Sequence, residues 1–507
     1  MKTRRGLQFV ALVLAMILLA ACSKTATPKS SGKPKVLTVG YGAEPGNMLP
    51  YGSGGEASVR ANMFDSLVRR DRDLKLAPSL ATSWETSQDG KTWTFHLRKN
   101  VKFHNGEPFN AQAVKWTFDT QTMGKTSVVK TQFTDVTEVK VVDDYTVQFV
   151  TKNQFPLLLN YLSSSFFAMP PKYYQEVGGD PGFDKKPIGT GPFKFVEWVK
   201  NERIVMEANP DYFLGRPKLD KVIFRPIPET ATRLAELLSG GVDVIMQVPP
   251  EHVGTIKNSP NARVEMRNSV RVVFIGLRTD QKPFDDVRVR RAVNLAINKD
   301  ELMKSVLAGQ GYLTPGPLSP LVWGYDSSIK GYGYDVQQAK QLLADAGYPD
   351  GFSVTLETPV GRYLKDKEVS EWVAGELAKI GIKVTVKTFE WGQYLEKYRN
   401  HKYDTMYVLG WGGTAYDADF VFSNLFESSN FRSYYKVAEV DKKIAEARNL
   451  VDANKRLALY KELQEKIVSD APWIFLYGQI DAWGLANRVN WSPGLTEYAW
   501  LWDADVK

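Results

Sequence analysis

Few residues in this chain of 507 could carry reactive chemistry. There is one cysteine, Cys22, and there are four histidines, His96, His104, His252 and His401. No histidine has a second histidine or a cysteine at the short intervals that metal ligation requires. A lone thiol cannot close an intrachain disulfide. No GxSxG elbow, phosphate-binding GxxxxGK[ST] loop or HExxH pair occurs. Asp and Glu are plentiful, but spacing alone does not reveal a catalytic pair in a fold this large. An enzyme therefore has no positive support, and neither a metal nor a cofactor is implied. What the chain does have is 13 Trp, 23 Tyr and 25 Phe among many charges. Most of these rings must fill a core, and a surplus suits a pocket that grips ligands by flat apolar faces.

Cys22 sits in a context of its own. Lys2, Arg4 and Arg5 precede a stretch, Leu7 to Leu19, that is apolar but for Gln8. Leu19-Ala20-Ala21-Cys22 follows. Positive charge, a short apolar run and small residues before a cut site define a secretory signal peptide. The run is too short for a comfortable span, which takes roughly 20 residues. The small residues followed by Cys resemble the bacterial lipobox. That resemblance implies cleavage after residue 21 and a lipid on Cys22. Residues 23–35, SKTATPKSSGKPK, are polar and rich in Ser, Lys and Pro, the composition of a flexible tether.

Losing Lys2, Arg4 and Arg5 with the signal lowers the formal charge from +8 to +5. That is mild for the length. No basic cluster interleaved with aromatics is present, so nucleic acid is not an expected partner. No second run of about 18 apolar residues occurs, so the body is not expected to span a membrane.

The elements alternate between strand and helix. Val36 to Gly40 reads as a strand. Trp93 to Leu97 and Tyr145 to Phe149 alternate at period two, and Asp89-Gly90 is a hairpin turn signal. Asn110 is a candidate N-cap for a helix through Ala113, Val114 and Trp116. Asp335 caps a helix that Gly347 stops. Ser353 to Glu357 is a strand, Glu368 to Ile380 a helix stopped by Gly381, and Ile382 to Val386 a strand. This βαβ order implies parallel sheet. Asp285 is expected to cap Val287 to Ile297, and Asn454 to cap a helix through Leu457, Tyr460, Leu463 and Ile467.

Five segments then occur in a telling order. The longest runs from Asp89-Gly90-Lys91-Thr92-Trp93-Thr94-Phe95 to Val101-Lys102-Phe103-His104-Asn105-Gly106-Glu107-Pro108-Phe109. Around it stand Leu76-Ala77-Pro78-Ser79-Leu80-Ala81, Gly189-Thr190-Gly191-Pro192-Phe193, Val287-Arg288-Val289-Arg290-Arg291-Ala292 and Asp470-Ala471-Pro472-Trp473-Ile474. Together they resemble the extracytoplasmic solute-binding proteins of peptide-type ABC importers, family 5. The resemblance implies an α/β fold of two discontinuous lobes joined by a hinge, with an extra third domain and a ligand held between the lobes. It implies lobe I from 36–67, 187–273 and 479–507, an extra domain from 68–186, and lobe II from 274–478. Hinge segments are expected near Val272 to Gly276 and Phe475 to Tyr477. The signature segment itself is expected to be structural, with Trp93 and Phe95 in a core. The implied mechanism is lobe closure on a ligand, then docking on a permease.

A peptide is a zwitterion, and burying it requires an acid for the amine and a matching cation for the carboxylate. Arg362, in Pro359-Val360-Gly361-Arg362-Tyr363, lies where dipeptide binders of the family place their carboxylate-binding arginine. Leu409-Gly410-Trp411-Gly412-Gly413-Thr414-Ala415-Tyr416-Asp417-Ala418-Asp419 resembles the family's Gly-Trp loop. Trp411 is implied as a pocket wall. The family's amine-binding acid falls opposite Thr414, a neutral residue, and acids return at Asp417 and Asp419, a pattern closer to glutathione-type binders. Either Asp417 takes the amine, or the ligand has no free amine there, or Asp417 caps the next helix. Arg362, Trp411, Thr414 and Asp417 are thus the expected ligand-binding residues.

The expected role is capture of a short peptide, glutathione-like ones included, by a monomer that delivers it to permease subunits. It is tied to the outer face of the cell membrane by the lipid on Cys22. A nickel chelate, haem or an opine are alternatives on the same fold. An extracytoplasmic chaperone or sensor is an alternative of another class.

Overall fold

The computed structural model describes residues 33–51, 57–412 and 415–507. Cys22, the signal segment and most of the tether lie outside them, as does Thr414.

One eleven-stranded mixed sheet runs through the molecule. Its middle is two long antiparallel strands, Ala262–Leu277 and Trp473–Ala486, of 16 and 14 residues. Each passes from one half of the protein to the other. Their pairing slips between Asn268 and Val272 and again between Val273 and Phe274. The second break lies within the expected hinge segments and the first just outside them. A bulge leaves ladder groups unpaired and bends a strand locally.

On one side of the crossover, Val36–Tyr41 pairs in parallel with Lys221–Pro226 and with Val244–Ile245. The antiparallel strands Arg203–Ala208 and Phe193–Val199 extend this half. Its core packs Leu37, Val39, Phe224, Trp483 and Leu485. On the other side, Ser353–Pro359 pairs in parallel with Lys383–Phe389 and with Met406–Gly412. The intervening helix Asp366–Ala378 buries Val369, Val373 and Leu377. Their i, i+4, i+8 spacing lays one apolar stripe on the sheet. This is the expected βαβ unit. A Cβ on Gly351 would come within 2.1 Å of the Gly381 carbonyl, and both glycines have positive φ, 76° and 85°. Only residues without a side chain permit that approach.

A separate antiparallel sheet orders Ala81–Thr86, Thr92–Leu97, Thr146–Thr151 and Val136–Asp143. The hairpin turn at Asp89-Gly90 is present: Gly90 has φ 69°, and Asp89 accepts from Lys91 N at 3.1 Å. Trp93 and Phe95 enter a core with Phe118, Phe149 and Tyr161. Asn110 caps Ala111–Trp116, accepting from Ala113 N at 3.0 Å. The signature segment and the Gly189 turn meet at half-buried His104. Gly189 N donates to its Nδ1 at 3.3 Å, so Nε2 carries the hydrogen toward Gly191 O at 3.0 Å. Burial pushes this imidazole down to about 4.

Two caps differ from expectation. Asp286, not Asp285, accepts from Arg288 N at the start of Val287–Leu295. Asp452, not Asn454, caps Ala453–Asp470 and accepts from the N–H groups of Asn454 and Lys455. A cap must precede the N–H groups it satisfies, and two adjacent polar candidates are not told apart by periodicity.

Candidate functional site

A cavity of about 590 Å³ opens between the two halves of the great sheet. That lies within the usual ligand range of about 300–1,000 Å³. Met246 to Pro249 and Glu251 line it from one side and Val360 to Glu368 from the other. Arg271, Gln479, Asp481 and Glu497 line it near the crossover.

Arg362 reaches this cavity because a helix start holds its loop. Buried Asp366 opens the helix Asp366–Ala378. Its carboxylate accepts from the N–H groups of Gly361 at 3.1 Å, Arg362 at 2.9 Å and Tyr363 at 3.1 Å. A carboxylate at a helix N-terminus is favourably placed by the helix dipole. The loop is thus tied by its backbone, and the Arg362 side chain is left for the cavity. The guanidinium carbon sits 5.3 Å from the Tyr363 ring centre and 5.0 Å from that of Trp391. Among the described residues no carboxylate lies within ion-pair distance of it. Burial, and then the charge of Arg271, push the guanidinium below its ordinary value. It remains a cation, held beside a like charge.

Arg271 is compensated. It meets Glu497 at 2.5 Å and donates to Gly410 O at 3.1 Å. Glu497 also accepts from Ser269 Oγ at 2.7 Å. Arg271, Arg362, Glu497 and Asp481 are thus among the charged residues that line this one cavity. A Lys365 to Glu251 contact of 3.1 Å joins the two sides of the cleft.

Trp411 and Asp417 have other surroundings and are not among the residues lining the cavity. Trp411 pairs with Val272 in the sheet and stacks on Phe420 at 5.8 Å. Its indole N–H is buried without a partner among the described residues. Asp417, 2% exposed, has the geometry of a helix cap, accepting from Asp419 N at 3.0 Å. Its charge meets Arg456 at 2.7 Å, and the Tyr460 hydroxyl donates to it at 3.3 Å. Burial raises the Asp417 carboxyl, and Arg456 offsets part of the rise. Of the described residues that the resemblance names, Arg362 lines the cavity and Trp411 and Asp417 do not, Asp417 being engaged inside the protein; Thr414 lies outside the described residues.

Sequence reasoning did not single out Arg271, Gln479, Asp481 or Glu497. The first three lie next to the expected hinge segments. Gln479 and Asp481 interrupt an otherwise apolar strand, WIFLYGQIDAWGLA. Polar residues inside such a strand are the signal that was available.

Residues 75–433 match the family model described as bacterial extracellular solute-binding proteins, family 5 Middle. The dipeptide-binding protein of Escherichia coli K12 is 32% identical over 505 residues, covering 93% of this chain and 92% of its own. Heme-binding protein A of Haemophilus influenzae is 33% identical over 444 residues, covering 82% and 81%. Among solved structures, an ABC transporter-associated periplasmic binding protein of Helicobacter pylori, in complex with the peptide STSA, superposes with a TM-score of 0.81. It is 30% identical and covers 93% of this chain and 98% of that one. With the crossover strands, the cleft between lobes and a family match over most of its length, the chain belongs to the family 5 bacterial extracellular solute-binding proteins.

Proposed function

We propose that this protein is the substrate-binding lipoprotein of an ABC importer. It captures a short peptide, a dipeptide to short oligopeptide or glutathione, by lobe closure and hands it to the membrane permease. The observation that carries this reading is Arg362: a cation at the interlobe cavity, with no ion-pair partner among the described residues and with Arg271 beside it. Its fork matches a carboxylate in two parallel hydrogen bonds. The likeness to a dipeptide-binding relative supports the same class. Thr414 and Trp411 stand in this reading as residues of the Gly-Trp loop at the ligand's flank, and Asp417 as the acid that holds that loop from behind.

The role is binding, not catalysis, by a monomer anchored through lipid on Cys22 outside the cytoplasm. No helix among the described residues is long and apolar enough to cross a membrane. Anchoring keeps the captured solute at high effective concentration near the permease. A Cys22→Ser variant is expected in the soluble fraction, and its retention in membranes would remove the lipid anchor from this reading.

A thermal-shift screen with di-, tri- and tetrapeptides, glutathione, haem and metal chelates tests the cargo. A ligand specific to the native form raises the midpoint. Peptides are expected to do so; a response to haem alone would favour the second reading, a non-peptide solute, which the likeness to a heme-binding protein supports.

A further inference from the structure

The second crossover strand carries a polar pair at the cavity wall. Gln479 is 9% exposed. Its amide nitrogen donates to Asp481 Oδ1 at 2.6 Å. In this arrangement the amide donates and the carboxylate accepts. Gln479 Oε1 is then left buried with no hydrogen-bond partner. Both side chains line the cavity that Arg362 lines. No Lys, Arg or His among the described residues is within ion-pair distance of Asp481. A buried acceptor without a donor, and a half-buried acid without an ion-pair partner, each cost free energy as they stand. Two such groups side by side in a ligand cavity mark a place where donors with positive charge belong.

We infer that Gln479 Oε1 and Asp481 form the ammonium-binding end of the site, opposite in charge to Arg362. An alkylammonium has three N–H donors, enough to satisfy both acceptors at once. The inference rests on the peptide reading above and deepens it: the ligand carries a free amine as well as a carboxylate. It also relieves the Gly-Trp loop of a task for which Thr414 has no charge and Asp417 no free valence. Burial, with Glu497 nearby, pushes the Asp481 carboxyl up to about 7. An incoming cation would reverse that, as opposite charges favour the ionised form.

The test pairs N-acetylation of the ligand with substitution of the protein. Di-, tri- and tetra-alanine and glutathione, each with its N-acetylated form, are titrated by calorimetry into wild type, Asp481→Asn and Gln479→Leu. Acetylation removes the ammonium and should weaken binding to wild type by on the order of 10- to 100-fold. In Asp481→Asn the same modification is expected to cost less than about twofold, because the charge it removes no longer has a partner. Asp481→Asn deletes a half-buried charge that has no ion-pair partner among the described residues, so its folding is not expected to suffer; Gln479→Leu repeats the comparison should it do so. An equal acetylation penalty in wild type and both variants would overturn the assignment while leaving the peptide reading intact. Failure of every peptide to bind wild type would overturn both.

Discussion

Arg456 Nη2 lies 2.7 Å from Asp417 Oδ1, with both side chains almost wholly removed from solvent. The pair joins the long helix Ala453–Asp470 to the cap of Ala418–Leu425. Asn160, from the domain with the four-stranded sheet, adds a bond to the other carboxylate oxygen at 3.3 Å. The Gly-Trp loop is thus pinned from beneath. Truncating either member leaves a buried charge unpaired. Asp417→Ala or Arg456→Ala is expected to cost about 3–5 kcal/mol, read by urea unfolding. Asp417→Asn keeps the cap and should cost less. A loss under about 1 kcal/mol in Asp417→Ala would show the pair to be incidental.

Arg362 has the opposite standing: no carboxylate among the described residues pairs with it. Arg362→Ala should therefore leave the unliganded midpoint unchanged or slightly raised, while peptide affinity falls on the order of 10- to 100-fold by calorimetry. Arg362→Lys is expected to recover only part, since an ammonium cannot make the two parallel bonds of the fork. Unaltered affinity in Arg362→Ala would take the residue out of the site.

Lys365 reaches across the cleft to Glu251; the Glu251 side chain is exposed and that of Lys365 partly so. An exposed pair contributes about 0.2–1 kcal/mol. Glu251→Gln is accordingly expected to speed ligand release about two- to fivefold in stopped-flow measurements. The effect should fade as salt screens the charges. Release rates that do not differ at low salt would mean that the pair has no part in closure.

His104 gives the fold an acid-sensitive point. Its native value of about 4 lies below the unfolded value of about 6.5. Between these pH values the unfolded chain binds more protons, so stability rises with pH. The contribution is whole above about 6.5 and is lost as pH falls toward 4, a change of up to about 3 kcal/mol. Asp65 and Asp419, each raised to about 6, titrate with the opposite sign in that range. The difference between wild type and His104→Gln is therefore the quantity to follow. It should shrink as pH drops from 7 to 4.5 in thermal melts; a constant difference would contradict the assigned neutral tautomer.

The sequence by itself determined the elements whose cause is local. The alternation of Trp93 to Leu97, the turn at Gly90, the cap at Asn110 and the stripe of Val369, Val373 and Leu377 all follow from periods of two and 3.6 residues. The family resemblance added the expectation of two lobes joined by a hinge and, through Pro359 to Tyr363, of Arg362 as a ligand-binding residue. Tertiary structure decided the rest, because charge compensation acts between residues far apart in the chain. Glu497 meets Arg271 across 226 residues, and nothing near either in sequence announces the other. Asp417 and Asp481 are both acids flanked by apolar residues. One has a buried arginine 39 residues away, and the other, without an ion-pair partner among the described residues, accepts from an amide whose oxygen is unmet. That difference separates a carboxylate paired inside the fold from one at the cavity without an ion partner, and only the packing of the crossover strand against the cleft sets it.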